Sequence, residues 1–219
     1  MMKTMMGWIL SAGCFFLLTA PLISQPARAR NLFPPEALPS MLLSQKSVQE
    51  ELKLSEDQLK KLGEIVKKRQ EAREKMADVD PKERFPKMRA LILESSKQAR
   101  AILKPEQDKR LQQIAWQNQG GLALAYSPVS KELNLTEEQI KKITVIKETR
   151  EKELDKFFGG EAASREDARK KSEELTQSTK TKMVEVLTEK QKEKWHAMLG
   201  EPFKGELRRE SNPRRPREP

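Results

Sequence analysis

Apolar residues recur along this chain three and four positions apart, the spacing that gathers them on one face of an α-helix. Leu59, Leu62, Ile65, Val66, Ala72 and Met76 make one such stripe, and Ile140, Ile143, Ile146, Leu154, Phe157 and Phe158 make a second. Each stripe predicts a long amphipathic helix, closed by Asp80-Pro81 in the first case and by Gly159-Gly160 in the second. Beyond the first closure Phe85, Met88, Ile92, Ala99, Ile102 and Leu103 form a returning stripe. Beyond the second, Ala168, Leu175, Met183, Val186 and Leu187 echo it more weakly. A short helix follows each return, over 105–119 and 189–199, ended by Gly120-Gly121 and by Gly200. The pattern predicts an all-α chain of two tandem helical hairpins.

The hairpins are related in sequence. Residues 48–62 lie over 129–143 at an offset of 81, with 8 identities in 15 positions. Residues 101–107 lie over 185–191 at an offset of 84, which makes the chain a tandem duplication on this reading. The element shared by all four segments is a leucine, usually a hydroxyl residue, and a glutamine three positions after that. Ser55 with Gln58, Thr136 with Gln139 and Thr188 with Gln191 fit a capping box. In that arrangement the hydroxyl accepts from the amide three residues on, and the side chain there reaches back to the cap's own amide. Lys104 replaces the hydroxyl in the remaining copy, followed by Pro105 at the first helical position and Gln107. Leu54 with Leu59, and Leu135 with Ile140, are spaced as hydrophobic staples, while Leu103 and Leu187 open the other two copies.

The start of the chain follows a different pattern. Lys3 precedes an apolar run from Met5 to Ile23, and Ala27-Arg28-Ala29 follows, the arrangement of a secretory signal peptide cut after Ala29. A membrane anchor is the rival reading, but Gly7, Ser11, Gly13 and Pro21 dilute the run, so no integral membrane segment is expected after cleavage. The expected organisation is a signal peptide over 1–29, an extended leader over 30–39, helical repeats over 40–121 and 122–204, and a disordered basic tail over 205–219 with five Arg and three Pro. Removing the leader takes away Cys14, the only cysteine. A disulfide framework and a thiol catalyst are thereby excluded. Of the remaining 190 residues 74 are charged, about 39%, with a net charge of +8. In an exported protein that excess suits anionic envelope surfaces or acidic protein segments and not nucleic acid. Narrow stripes on so charged a chain cover two thin helical layers but do not fill a thick core.

An exported, basic, helical chain carrying Leu54-Ser-Glu-Asp-Gln58, Leu103-Lys-Pro-Glu-Gln107, Leu135-Thr-Glu-Glu-Gln139 and Leu187-Thr-Glu-Lys-Gln191 resembles the Spy/CpxP family of periplasmic proteins, whose Leu-Thr-x-x-Gln motif these segments repeat. The resemblance implies a periplasmic, stress-associated protein that holds unfolding or envelope proteins without ATP, or an adaptor that restrains a sensor kinase. Relatives carry two motifs per chain and pair into cradle-shaped dimers. Four motifs here imply either a single-chain pseudo-dimer or a homodimer. The alternative is a structural envelope protein that binds an anionic surface polymer or membrane headgroups.

Catalytic chemistry finds no support in the residues. His196 is the only imidazole, beside Trp195, and reads as a boundary residue; no metal or other cofactor is expected. The charge is uneven, +5 over 40–121 and +1 over 122–204. Lys60, Lys61, Lys67, Lys68, Arg69 and Arg73, with Lys82, Arg84, Lys87 and Arg89 across the turn, are the candidate basic face for clients or anions. Its rival is a solvated face interleaved with Glu64, Glu71 and Glu74. Met76, Phe85, Met88 and Leu91 are the candidate apolar client contacts, methionine being adaptable to varied surfaces.

Overall fold

A computed structural model describes residues 35–157 and 164–207. All regular structure among them is helical. A 3-10 turn, Pro35–Ala37, leads into α1 (Leu38–Leu42) and α2 (Lys46–Glu51). Then come α3 (Glu56–Glu74), α4 (Pro81–Ala101) and α5 (Pro105–Gln119). A second 3-10 segment, Lys75–Asp78, follows α3, and a third, Gly120–Ala125, precedes α6 (Ser127–Glu132), α7 (Glu137–Lys156), α8 (Arg165–Glu185) and α9 (Glu189–Leu199). The expected signal peptide, Phe158 and the expected closure at Gly159-Gly160 lie outside the described residues. No described helix is long and apolar enough to cross a membrane.

Helix starts follow the caps. Ser55 Oγ accepts from the Gln58 amide at 3.2 Å, and Gln58 Oε1 accepts from the Ser55 amide at 3.0 Å. Thr136 with Gln139 repeats both bonds, and Thr188 with Gln191 repeats them at 3.4 and 3.0 Å. Lysine has no acceptor to offer, so only half the box forms at α5, where Gln107 Oε1 accepts from the Lys104 amide at 2.9 Å. Just before α3 and α7, Lys53 and Asn134 adopt left-handed backbone with φ of 50° in both cases, 81 positions apart. Each lets the next leucine amide reach back to a helix carbonyl, Leu54 to Gln49 and Leu135 to Ser130.

Two clusters make up the core. Leu42, Leu43, Val48, Leu62, Leu111 and Ile114 centre the first; Leu124, Val129, Ile143, Met183, Leu187 and Trp195 centre the second. Helix α5 is a shared wall. Its Leu111, Ile114 and Ala115 enter the first cluster while Trp116 packs on the second, its ring 6.3 Å from that of Trp195. The chain after α9 then returns to the first half. Gln117 donates to the Leu199 and Glu201 carbonyls and accepts from the Phe203 amide, Arg110 donates to the Glu201 carbonyl, and Phe203 and Leu207 pack on the first cluster.

Two expectations need correction. The leader is not extended to residue 39: it is helical from Pro35, and Ala37 and Pro39 are buried because α1 plugs the base of the first hairpin. The tail does not come free at 205. Ser47 Oγ donates to the Glu206 carbonyl and Leu207 is partly buried, while 208–219 lie outside the described residues. At the two staple positions Leu59 and Ile140 are 39% and 43% exposed, while Leu62 and Ile143 face inward at those turns.

Tyr126, the sole tyrosine, sits where the halves meet. Burial first and the Glu36 carboxylate second hold its phenol above the ordinary 10.0. A folded-state value above the unfolded one means that the neutral phenol stabilises the fold. That contribution is present below pH 10 and is lost as pH rises through the folded value. Phenolate absorbance is therefore expected to titrate above 10 in the folded protein and to fall back to about 10 in denaturant.

Candidate functional site

The four motif glutamines meet in pairs, which cap chemistry alone did not foretell. Gln58 Nε2 donates to the Ile102 carbonyl at 2.8 Å and to Gln107 Oε1 at 2.7 Å. Gln107 Nε2 donates to the Leu52 carbonyl at 3.0 Å and back to Gln58 Oε1 at 3.2 Å. Each side chain thus caps its own helix, bonds the other glutamine, and satisfies a carbonyl at the end of a neighbouring helix. In the second half Gln139 donates to the Val186 carbonyl at 3.0 Å and to Gln191 Oε1 at 2.7 Å. Gln191 donates to the Leu133 carbonyl at 3.3 Å. These knots tie motif one to motif two and motif three to motif four. Leu54, Leu103 and Leu135 pack beside them and Leu187 is buried, so the motifs build the hairpin bases and leave binding to other surfaces.

A groove opens above the first knot. Leu62, Ile65 and Val66 of α3 face Ile92 and Ala99 of α4 across a cavity of about 180 Å³, with Met41 of α1 at one end and Arg69, Arg73 and Met88 towards the other. Its floor is apolar because one stripe from each helix lines it. Val66 is 39% exposed, and the serine hydroxyls at the α1 end are turned back onto protein: Ser95 donates to the Ile92 carbonyl and Ser40 lies 2.6 Å from Ser96.

The ten candidate cations do not form one surface. A helix advances about 100° per residue, which puts Arg69 about 180° from Lys60. Lys60, Lys67 and Lys68 occupy the outer face with Glu64, Glu71 and Glu74, and all six are exposed. Lys61 is paired with Asp57 and Lys87 with Glu83, both at 2.7 Å; each pair favours the charged forms, so Asp57 raises the Lys61 value and Lys87 depresses that of Glu83. Arg84 is structural. Its Nη2 donates to the Ala77 and Val79 carbonyls and fastens the hairpin turn, where Asp80 caps α4 through the Lys82 amide. Only Arg69 and Arg73 line the groove.

Of the apolar candidates, Met88 lines the groove, while Met76, Phe85 and Leu91 are half-buried near the far end of the hairpin. Lys82 is exposed and Arg89 half-buried on α4. His196 is exposed beside the buried Trp195, and no cluster of metal-ligating side chains forms among the described residues. Sequence reasoning missed Ile65, Val66, Ile92 and Ala99 as groove lining, although all belong to its two stripes. It treated stripes as core, whereas part of their width lines the open groove. No known protein family, curated protein or solved structure matches this chain.

Proposed function

We propose that this chain is an exported holding protein of the Spy/CpxP type, in which a duplicated helical hairpin lets one chain do the work of a dimer. It acts by reversible binding and not by catalysis: apolar segments of unfolding envelope proteins enter the α3–α4 groove and leave again without ATP. The observation that carries this reading is the groove itself, an apolar trough open to solvent with two arginines on its rim. Such a surface takes up exposed hydrophobic segments, whose burial is worth about 25 cal/mol per Å², while the arginines favour acidic flanks. Helix bounds recur at the two sequence offsets, α3 and α7 starting 81 residues apart and α4 and α8 both 21 residues long and 84 apart. These are the relations expected of duplicated hairpins.

Light scattering tests the proposal. At stoichiometric amounts and without nucleotide, the purified protein is expected to slow the aggregation of a chemically denatured client. The variant Val66→Glu, which puts a carboxylate on the open apolar floor, is expected to lose most of that effect with little change in stability. Aggregation that proceeds at the same rate with and without the protein overturns the proposal.

A further inference from the structure

The two hairpins treat their matching arginines differently. Arg150 lies 81 residues after Arg69, and Thr176 lies 84 residues after Ile92, at corresponding turns of the paired helices. In the second half Arg150 Nη2 donates to Thr176 Oγ1 at 3.0 Å. In the first half the facing residue is Ile92, which offers no acceptor. Arg69 is half-buried beside the groove and, like Arg73 one turn further on, has no hydrogen-bonding or acidic partner among the described residues. A guanidinium partly withdrawn from water and left without an acceptor is disposed to take an external anion, and its planar fork matches a carboxylate in two-point contact.

The apolar floor specifies what must be attached to that anion. From Leu62 to Arg73 the groove follows eleven residues of α3, about 16 Å at the helical rise. It is walled by Ile65, Val66, Met88 and Ile92 and closed at the opposite end by Met41. A long, narrow apolar trough with a cationic end fits an unbranched chain that carries one terminal negative charge. We propose that the α3–α4 groove is a binding site for a free fatty carboxylate, its chain along the floor and its headgroup on Arg69 and Arg73. This goes beyond the holding role and does not depend on it.

Dodecanoate, below its micelle concentration, is the probe, and titration calorimetry of the purified protein is the measurement. Saturable one-to-one binding is expected, at least tenfold tighter than that of dodecanol or dodecyltrimethylammonium, which share the chain and differ in the head. Arg69→Gln is expected to weaken dodecanoate about tenfold without shifting thermal unfolding. Ile92→Thr, which supplies Arg69 with the internal hydroxyl that Arg150 has, is expected to weaken it severalfold. Three results overturn the proposal: equal affinity for the three headgroups, binding indifferent to Arg69→Gln, or capture by anionic lipid vesicles with no binding of the monomeric acid. The headgroup comparison uses the unaltered protein, so it decides even if a variant fails to fold. Suppression of client aggregation is read separately, so either result can fail while the other stands.

Discussion

Replacing Gln58 by alanine is expected to destabilise the protein by about 3 kcal/mol, seen as a lower urea midpoint with an unchanged slope. The side chain is buried and takes part in four hydrogen bonds: it accepts from the Ser55 amide and from Gln107, and donates to the Ile102 carbonyl and to Gln107. Truncation removes half of the α3 capping box, worth about 1 kcal/mol. It also strands a buried carbonyl and part of a buried amide, at about 1–3 kcal/mol for each unsatisfied group. Against a typical total of 5–15 kcal/mol that is a large share. Gln139→Ala removes the matching side chain in the second half, where the pair is more exposed and the Gln191 to Leu133 bond is longer, 3.3 against 3.0 Å. Its cost is expected to be smaller. Gln58→Glu separates the cap from the knot, since a carboxylate still accepts from the Ser55 amide but cannot donate. Ionised, it would face the Gln107 and Ile102 oxygens, so its folded-state pKa is raised. The neutral acid is then the form the fold favours, and the added penalty is full at pH 7 and is relieved as pH falls through the folded-state value. Equal midpoints for Gln58→Ala and Gln139→Ala would contradict the unequal burial of the two knots.

The caps were legible in the sequence because cap chemistry is local: a hydroxyl and a glutamine three residues apart meet wherever the helix begins. The ends of α5 and α9 were legible for the same reason, through Pro105, Gly120 and Gly200. The glutamine knots were not, because Gln58 and Gln107 are 49 residues apart and a residue already accounted for as a cap gives no sign of a second partner. Helix α1 was hidden by its length: five residues are too few to show a period. Arg69 is an instructive miss. It was grouped with Lys67 and Lys68 because they are neighbours in sequence, yet helical geometry alone separates it from them and sets it beside Leu62 and Ile65. What no pattern in the first half could supply was the absence of an acceptor for it. That came from setting Ile92 against Thr176, a comparison available only because the hairpins repeat.

The same comparison yields the other large expected effect. Where the first half has Ser40 and Ser96 joined by a hydrogen bond, the positions 81 and 84 residues on are Gly121 and Lys180. There the backbones of the 3-10 segment and α8 come so close that a Cβ at Gly121 would stand 2.1 Å from the Lys180 carbonyl oxygen and 2.9 Å from its carbon. Neither atom belongs to a flexible side chain, so the segment must move off the helix, pulling Ala123 and Leu124 away from Met183 in the second core. Its backbone is not in the left-handed region, so alanine costs nothing in conformation and the clash is the whole effect. Gly121→Ala is accordingly expected to cost about 3 kcal/mol, at the upper end for overpacking, and to lower the melting temperature by on the order of 10 °C. The control is Gly63→Ala. Gly63 lies in the exposed middle of α3 with nothing within 4 Å of an added Cβ, so helix propensity alone operates and a gain of about 0.5–1 kcal/mol is expected. Opposite signs for one chemical change at two glycines would establish that the close backbone contact at Gly121 holds the 3-10 segment against α8. A melting temperature unmoved by Gly121→Ala would show that this backbone contact does not hold the second core together.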